Sequence, residues 1–165
     1  HGGILVDFNA VKGGIEIIPL DNDWQRAAHV YSDEVLISHR TDAEKGTPKF
    51  ERGKSLSDHQ QEMIYISGTA AIRGEESIVT GDVLVQTEIT LENIQHLIGL
   101  EEGREKLPEH SGKLELLRVY LKHEEDAKIV KEDMDKLCPD VPIVYLYADV
   151  CREELLVEIE GIAYL

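Results

Sequence analysis

From residue 63 onward, segments with strand and helix periodicity follow one another in an order that restricts the fold of this chain. The run MIYISGTAAI (63–72) is almost continuously apolar, which is typical of a buried strand. A stripe of apolar residues then repeats at helical spacing: Leu84, Leu91, Ile94, Leu97 and Ile98. The strand KLELLRVYLK, the helix HEEDAKIVKEDMDKLC and the strands IVYLYADV and LLVEIEGIAYL follow. This order predicts an α+β fold in which two helices cover one face of a mixed sheet.

The closing strand carries apolar residues on both of its faces. One face holds Val157, Ile159 and Ala163, and the other holds Ile162 and Tyr164 beside two glutamates. Because the two helices cover only one face of the sheet, we expect the other face to pack on another subunit.

The first 60 residues precede this pattern, and we treat residues 61–165 as the main domain. The segments ILVDFNAV and GIEIIPL predict extra N-terminal strands around a Gly13–Gly14 turn, and SDEVLISHR predicts a further strand. The segment DNDWQRAAHVYS fits either a turn or a short helix. Residues 41–59 are polar and contain Gly and Pro, which predicts a loop of about 19 residues, long enough to suggest a function.

The charge balance excludes several classes of partner. The chain has 17 Lys and Arg against 33 Asp and Glu, a net charge of −16, and no cluster of basic residues. Nucleic acid and anionic membranes are bound through such clusters, so we expect neither as a partner. No apolar run is long enough to predict a transmembrane helix, and no signal peptide is recognisable.

The cysteine and histidine content argues against a disulfide framework and against a metal site. The two cysteines are Cys138 and Cys151, and the seven histidines have no metal-binding spacing. We therefore expect no metal, no cofactor, and a reducing, cytoplasmic setting.

Four ordered motifs resemble the RidA/YjgF superfamily, also called the endoribonuclease L-PSP family. They are MIYISGTAAI, GDVLVQTEITLENIQHLI, LLRVYLKHEEDAKIV and ELLVEIEGIAYL, and they span about residues 63–165. The resemblance implies the fold shared with the bacillary chorismate mutase type, in which three subunits pack their sheets into a central barrel. It therefore implies a homotrimer, or a pseudo-trimer of homologous domains, with a small carboxylate bound in clefts between subunits.

A narrower pattern resembles the C-terminal half of the chorismatases, which hydrolyse chorismate. It comprises SGTAAI, GEES, GDV and QT, then ADVCR and LLVEIE, with DNDWQRAAHVYS and FERG upstream. The resemblance reaches back to about Leu20, and it implies that the strands before that point are the tail of a preceding domain. The first residue is His1 rather than Met, so we expect a processed product or a fragment. Glu75 and Ala71 stand where the family has His and Ser, which argues against an identical substrate.

Three residues near the C-terminus are the main candidates for chemistry. Glu158, the first Glu of VEIE, corresponds to the superfamily residue that orients water or donates a proton; partial burial would raise its pKa. Glu160 lies two positions further along, on the same face of the strand, and competes for this role. Alternatively, Glu158 could be a solvent-facing strand residue without a role in chemistry. Arg152 is a candidate for binding a substrate carboxylate, or else a loop arginine paired with a neighbouring glutamate. Cys151 precedes Glu158 by seven residues, the spacing that the chorismatase resemblance implies for a substrate-adjacent Cys; the alternative is an inert thiol.

Further candidates come from the strand ends and from the arginines and tyrosines upstream. The turn Ser67–Gly68–Thr69 could let backbone N–H groups reach a ligand carboxylate or carbonyl, or it could be a plain turn. The remaining candidates are anion-binding arginines and cleft-facing tyrosines: Arg52, Arg73, Tyr120 and Tyr145. Because only REELL joins the strands IVYLYADV and LLVEIEGIAYL, we also expect these two strands to be neighbours.

Two classes of function fit these residues. The first is a hydrolase, lyase or deaminase that acts on a small carboxylate with enol-ether, enamine or imine character. The second is a non-catalytic ligand-binding or regulatory trimer. Simple RidA deaminases carry an arginine shortly after the position of Pro142, where this chain has none; this puts the deaminase reaction in doubt. A ribonuclease is the weakest hypothesis, because the charge is strongly negative.

Overall fold

The structure is a computed structural model that describes residues 8–32, 34–35, 46–99 and 113–165. In chain order its elements are β1 (Glu16–Leu20), β2 (Gly53–Ser57), β3 (Glu62–Thr69), β4 (Ile72–Arg73), β5 (Glu76–Ser77), α1 (Val83–Gly99), β6 (Lys113–Leu121), α2 (Ala127–Leu137), β7 (Ile143–Tyr147) and β8 (Val157–Tyr164). There are also two short 3-10 turns: one covers Ala28–Val30, and the other, Glu124–Asp126, directly precedes α2.

The main sheet has the strand order β1-β2-β3-β8-β6-β7. All neighbouring strands are antiparallel except β6 and β7, which run parallel because α2 carries the chain back between them. This confirms the α+β class, the mixed sheet with two helices and the extra N-terminal strand. The β4–β5 hairpin forms a small second sheet.

Both helices share one hydrophobic core with the sheet. Side chains from every layer are fully buried there: Ile94 of α1, Met134 of α2, Leu117 of β6 and Ile159 of β8. The alternate residues of the central strands point to the opposite face, where Tyr65, Leu116 and Ile162 are half-buried. The packing of this face on another subunit remains a prediction.

Three expectations about the strands were wrong within the described residues. Residues 53–57 form β2 rather than a loop, because this short polar segment pairs with both β1 and β3. Strands β7 and β8 are not neighbours, since β6 pairs with both of them and lies between them. Residues 8–11 of the segment ILVDFNAV form no strand; residues 4–7, and most of SDEVLISHR, lie outside the described residues.

No helix in the described ranges is long and apolar enough to cross a membrane.

A candidate active-site cleft

A cleft of about 510 Å³ opens where β3 and β8 meet the irregular segments around them. Its polar side chains are those of Tyr31, Arg52, Ser67, Cys151, Arg152 and Glu158, and Gly68 adds an uncovered stretch of backbone. Its apolar wall includes Phe50, Ile72 and Leu155. A cavity of this size, with few polar groups on an apolar wall, is typical of a small-molecule site.

Glu158 occupies the second position of β8 and is half-buried. Its neighbours Val157 and Ile159 point into the core, so strand alternation directs Glu158 to the opposite face and into the cleft. Burial raises the pKa of the Glu158 carboxyl above the ordinary value of 4.5, and the nearby Glu160 carboxylate raises it further. Glu158 therefore has the environment of a carboxyl that holds a proton more tightly than usual.

Gly68 is in direct contact with this carboxyl. The register between β3 and β8 shifts between Ile66 and Thr69, so Gly68 lies in a bulge of β3 rather than in a turn at its end. A Cβ atom at position 68 would overlap the Glu158 carboxyl. The absence of a side chain at Gly68 therefore makes room for Glu158, a role that differs from the predicted backbone contact with a ligand.

Two arginines lie buried in the wall of the cleft. Arg152 is 7% exposed and donates from Nη1 to the Glu75 carbonyl oxygen at 2.8 Å and to Ser77 Oγ at 3.0 Å. Arg52 is 3% exposed and donates from Nη2 to the Arg26 carbonyl oxygen at 2.8 Å. Among the described residues, neither guanidinium pairs with a carboxylate. Both charges are therefore available to an anionic ligand.

Tyr31, which no sequence pattern singled out, contacts both arginines. Its ring lies 5.7 Å from the Arg52 guanidinium carbon and 5.5 Å from that of Arg152. The Arg52 guanidinium also donates a hydrogen bond to the Tyr31 hydroxyl. Tyr31 follows the 3-10 turn whose Ala28 is buried, and this packing fixes the ring. Cation–π contacts from one ring thus hold two like charges near each other.

Cys151 lines the cleft beside Glu158. The residue as a whole is exposed, but its thiol lies among enough atoms for partial burial to raise its pKa, and the Glu158 carboxylate adds to this effect. A raised pKa keeps the thiol protonated at neutral pH, which does not favour a thiolate nucleophile.

Two of the predicted binding residues make other contacts and do not line the cleft. The Thr69 hydroxyl donates to the Ser67 carbonyl oxygen at 2.9 Å and is buried. Arg73 pairs with Glu92 at 2.7 Å and lies 4.6 Å from the Trp24 ring. The tight β4–β5 hairpin turns the Arg73 side chain toward α1.

The two predicted tyrosines are also outside the cleft lining. Tyr120 donates to Glu160 Oε1 at 2.6 Å, and burial and this contact raise its pKa to about 12. Tyr145 lies on the edge strand β7, far along the sheet from β3, and its hydroxyl is buried without a hydrogen-bond partner in the described part of the chain. Both tyrosines are therefore part of the sheet and its packing.

Two buried polar residues of α1 hold the walls of the cleft in place. Gln86 donates to the Glu154 carbonyl oxygen at 2.9 Å and accepts from the Leu156 backbone N–H at 2.8 Å. Asn93 donates to the carbonyl oxygens of Ala70 and Ile72 at 3.0 and 3.1 Å. The two residues are seven positions apart on the buried face of the helix. A polar residue within an apolar helical stripe is the sequence signal that identifies such anchors.

Comparison with known proteins agrees with this architecture. A chorismatase of Streptomyces rapamycinicus is 32% identical over 98% of this chain and 47% of its own length. A 3-hydroxybenzoate synthase of Streptomyces hygroscopicus is 36% identical over 70% of this chain and 36% of its own length. The chain thus spans about half the length of the chorismatases that it matches. No family model matches the chain.

The solved structures give the same result for the fold. A chorismatase crystal structure matches 90% of this chain and 44% of its own, at 29% identity and a TM-score of 0.72. An endoribonuclease L-PSP-type protein of Entamoeba histolytica matches 91% of this chain and all of its own, at 13% identity and a TM-score of 0.60, which concerns the fold alone. The chain therefore has the RidA/YjgF fold and is related to the chorismatases.

Proposed function

We propose that this chain hydrolyses the enol ether of chorismate, or of a closely related cyclic dicarboxylate, with Glu158 as the general acid. The observation that carries this proposal is the arrangement of the cleft. A carboxyl with a raised pKa shares one cleft with two buried arginines that have no carboxylate partner in the described residues. The relatedness to chorismatases supports the same class of substrate.

The two arginines suit the charge of the ligand. Chorismate carries two carboxylates, one on the ring and one on the enolpyruvyl ether. Arg52 and Arg152 offer two cationic groups, and guanidinium donors form strong, directional hydrogen bonds with carboxylates. Binding a dianion between them offsets the cost of burying two like charges close to one Tyr31 ring.

The proposed chemistry begins with proton transfer to carbon. Neutral Glu158 donates its proton to the methylene carbon of the enol ether, which leaves an oxocarbenium ion and the Glu158 carboxylate. Water adds to that ion and returns a proton to Glu158. The resulting hemiketal breaks its bond to the ring oxygen while its hydroxyl proton passes to that oxygen, so one water is consumed and pyruvate and a dihydroxycyclohexadiene carboxylate are released. General acid catalysis of this kind contributes about 10²–10⁴-fold to the rate.

The two departures from the chorismatase pattern, at Ala71 and Glu75, lie outside the lining of the cleft. Ala71 is buried in a small apolar cluster, and the Glu75 side chain accepts hydrogen bonds from Arg26 and from the Ser32 backbone N–H. Neither residue is part of the cleft lining. Glu75 contributes through its backbone carbonyl, which holds Arg152, and any residue type supplies that group.

The test is incubation with chorismate, followed by quantification of pyruvate and chromatography of the ring product. The proposal expects pyruvate and the dihydroxycyclohexadiene carboxylate in equal amounts. Release of 3-hydroxybenzoate would instead assign the synthase reaction of the second relative. Saturable binding of chorismate without any product would support the non-catalytic alternative and contradict the proposal.

The open face of the sheet supports a second, independent proposal on assembly. Its half-buried apolar side chains, with those of Tyr65, Leu116 and Ile162 at the centre, suit packing into a homotrimer or a pseudo-trimer of homologous domains. Light scattering at micromolar concentration tests this, and a stable monomer would contradict it.

A further inference from the structure

A second carboxylate lies next to Glu158 and belongs to a compact polar cluster. Glu160 follows Glu158 by two positions on β8, so both side chains lie on the same face. Glu160 Oε1 accepts from Arg118 Nη1 at 2.7 Å and from the Tyr120 hydroxyl at 2.6 Å. We call Arg118, Tyr120 and Glu160 the Glu160 cluster.

The sheet register fixes this cluster relative to Glu158. Tyr120 is directly opposite Glu158, and Arg118 is directly opposite Glu160. Residues two positions apart on a strand are separated by about 7 Å, and directly opposite side chains start about 5 Å apart. The charge on Glu160 is therefore within a Debye length of Glu158, and partial burial of both residues weakens the screening between them.

The other groups that face Glu158 do not reproduce this effect. The adjacent strand β3 contributes Ser67 and Gly68, which carry no charge. Strand β6 contributes Tyr120, whose hydroxyl proton is committed to Glu160.

The remaining cleft groups near Glu158 are Cys151, Arg152 and Arg52. The Cys151 thiol stays neutral, and the two guanidiniums are cations, which favour the ionised form of a nearby carboxyl and so act in the opposite direction. Burial and the Glu160 carboxylate are the two causes that raise the Glu158 pKa. Glu160 is thus the nearby anion with a fixed geometry.

We infer that Glu160 is a positioning residue, held by Arg118 and Tyr120, whose negative charge favours the protonated, acid-competent form of Glu158. This inference rests on the proposed function of Glu158. It assigns a purpose to a polar cluster that the hydrolysis itself does not use. It also gives a reason for a partly buried ion pair beside the cleft.

The test is a titration of the Glu158 carboxyl by NMR in protein labelled with ¹³C at the glutamate side-chain carboxyl. The Glu158→Gln variant identifies the signal, because it lacks that one resonance. We expect the midpoint of the Glu158 titration to move to lower pH in Glu160→Gln and to return toward the wild-type value in Glu160→Asp, which restores the charge. Glu115→Gln is the matched control, since it removes an exposed carboxylate far along β6 and should leave the midpoint unchanged.

The outcomes separate this inference from the proposed function, because the titration needs no substrate. A Glu158 midpoint that is equal in wild type and Glu160→Gln overturns the inference, even if chorismate is hydrolysed. Failure to hydrolyse chorismate, with the midpoint shifted as expected, contradicts the proposed function alone. If Glu160→Gln does not fold, the neutral variant Glu160→Met must give the same downward shift. If the enzyme is active, the basic limb of its pH–rate profile should also move to lower pH in Glu160→Gln.

Discussion

Replacing Gly68 with alanine tests the geometry of the cleft at the scale of a single atom. A Cβ atom built at position 68 lies 2.0 Å from Glu158 Oε1 and 3.0 Å from Glu158 Cδ. Since an ordinary contact between carbon and oxygen needs about 3.4 Å or more, the oxygen has to move by more than about 1 Å. A displacement of that size at a reacting group costs about 10²-fold in rate. We therefore expect Gly68→Ala to lose about 10²-fold of turnover.

The same variant should fold almost as stably as the wild type. The nearest atoms to the added Cβ all belong to the flexible Glu158 side chain, which can rotate away. We expect the free energy of unfolding to change by less than about 1 kcal/mol. Urea unfolding and pyruvate release, measured on the same preparation, are the two assays. Wild-type turnover in Gly68→Ala would refute the reasoning, because the carboxyl could not then be where the structure has it.

Two other glycines provide the matched controls. A Cβ at Gly161 would lie 2.6 Å from the Leu116 carbonyl oxygen, which belongs to the backbone of the paired strand and cannot rotate away. Gly161→Ala should therefore lose about 1–3 kcal/mol of stability, the usual range for overpacking. Gly99→Ala has no atom within 4 Å of the added carbon and should change neither stability nor turnover.

Three further predictions concern the acid, its binding partners and the loop beside it. Because its folded pKa is raised, Glu158 destabilises the fold once it ionises; Glu158→Gln should therefore be more stable than wild type in urea at pH 8, and the difference should vanish below about pH 4.5. Arg152→Ala should weaken carboxylate binding by about 1.5–3 kcal/mol, measured by calorimetry. Gln86→Leu leaves the Leu156 backbone N–H unpaired, so stability should fall by about 1–3 kcal/mol and hydrogen exchange of that amide should accelerate.

The elements that could be predicted from sequence are those with long, regular periodicity. The apolar stripe of α1 and the alternation of β8 are local signals, and the alternation is sufficient to place Glu158 on the face away from the core. Strand β2 could not be predicted in this way. Its sequence GKSLS has little apolar character, and its pairing with β1 and β3 depends on contacts between distant parts of the chain.

The cleft was only partly predictable for a related reason. Glu158, Cys151 and Arg152 are close in sequence, so motif and spacing were sufficient to group them. Tyr31 and Arg52 lie outside the helices and strands, in segments whose positions depend on tertiary packing. Such segments have no periodic sequence pattern from which their positions could be predicted. The order of the strands β6, β7 and β8 likewise depends on the path of α2, so a short connection does not make two strands neighbours.

The most direct test of the central claim measures chorismate binding and chorismate turnover side by side in wild type and Glu158→Gln. The substitution removes the transferable proton and keeps the size and most polar contacts of the side chain. We predict that binding is retained while turnover falls by about 10² or more, as expected for loss of a general acid. Turnover that survives in Glu158→Gln would contradict the claim that this carboxyl protonates the substrate.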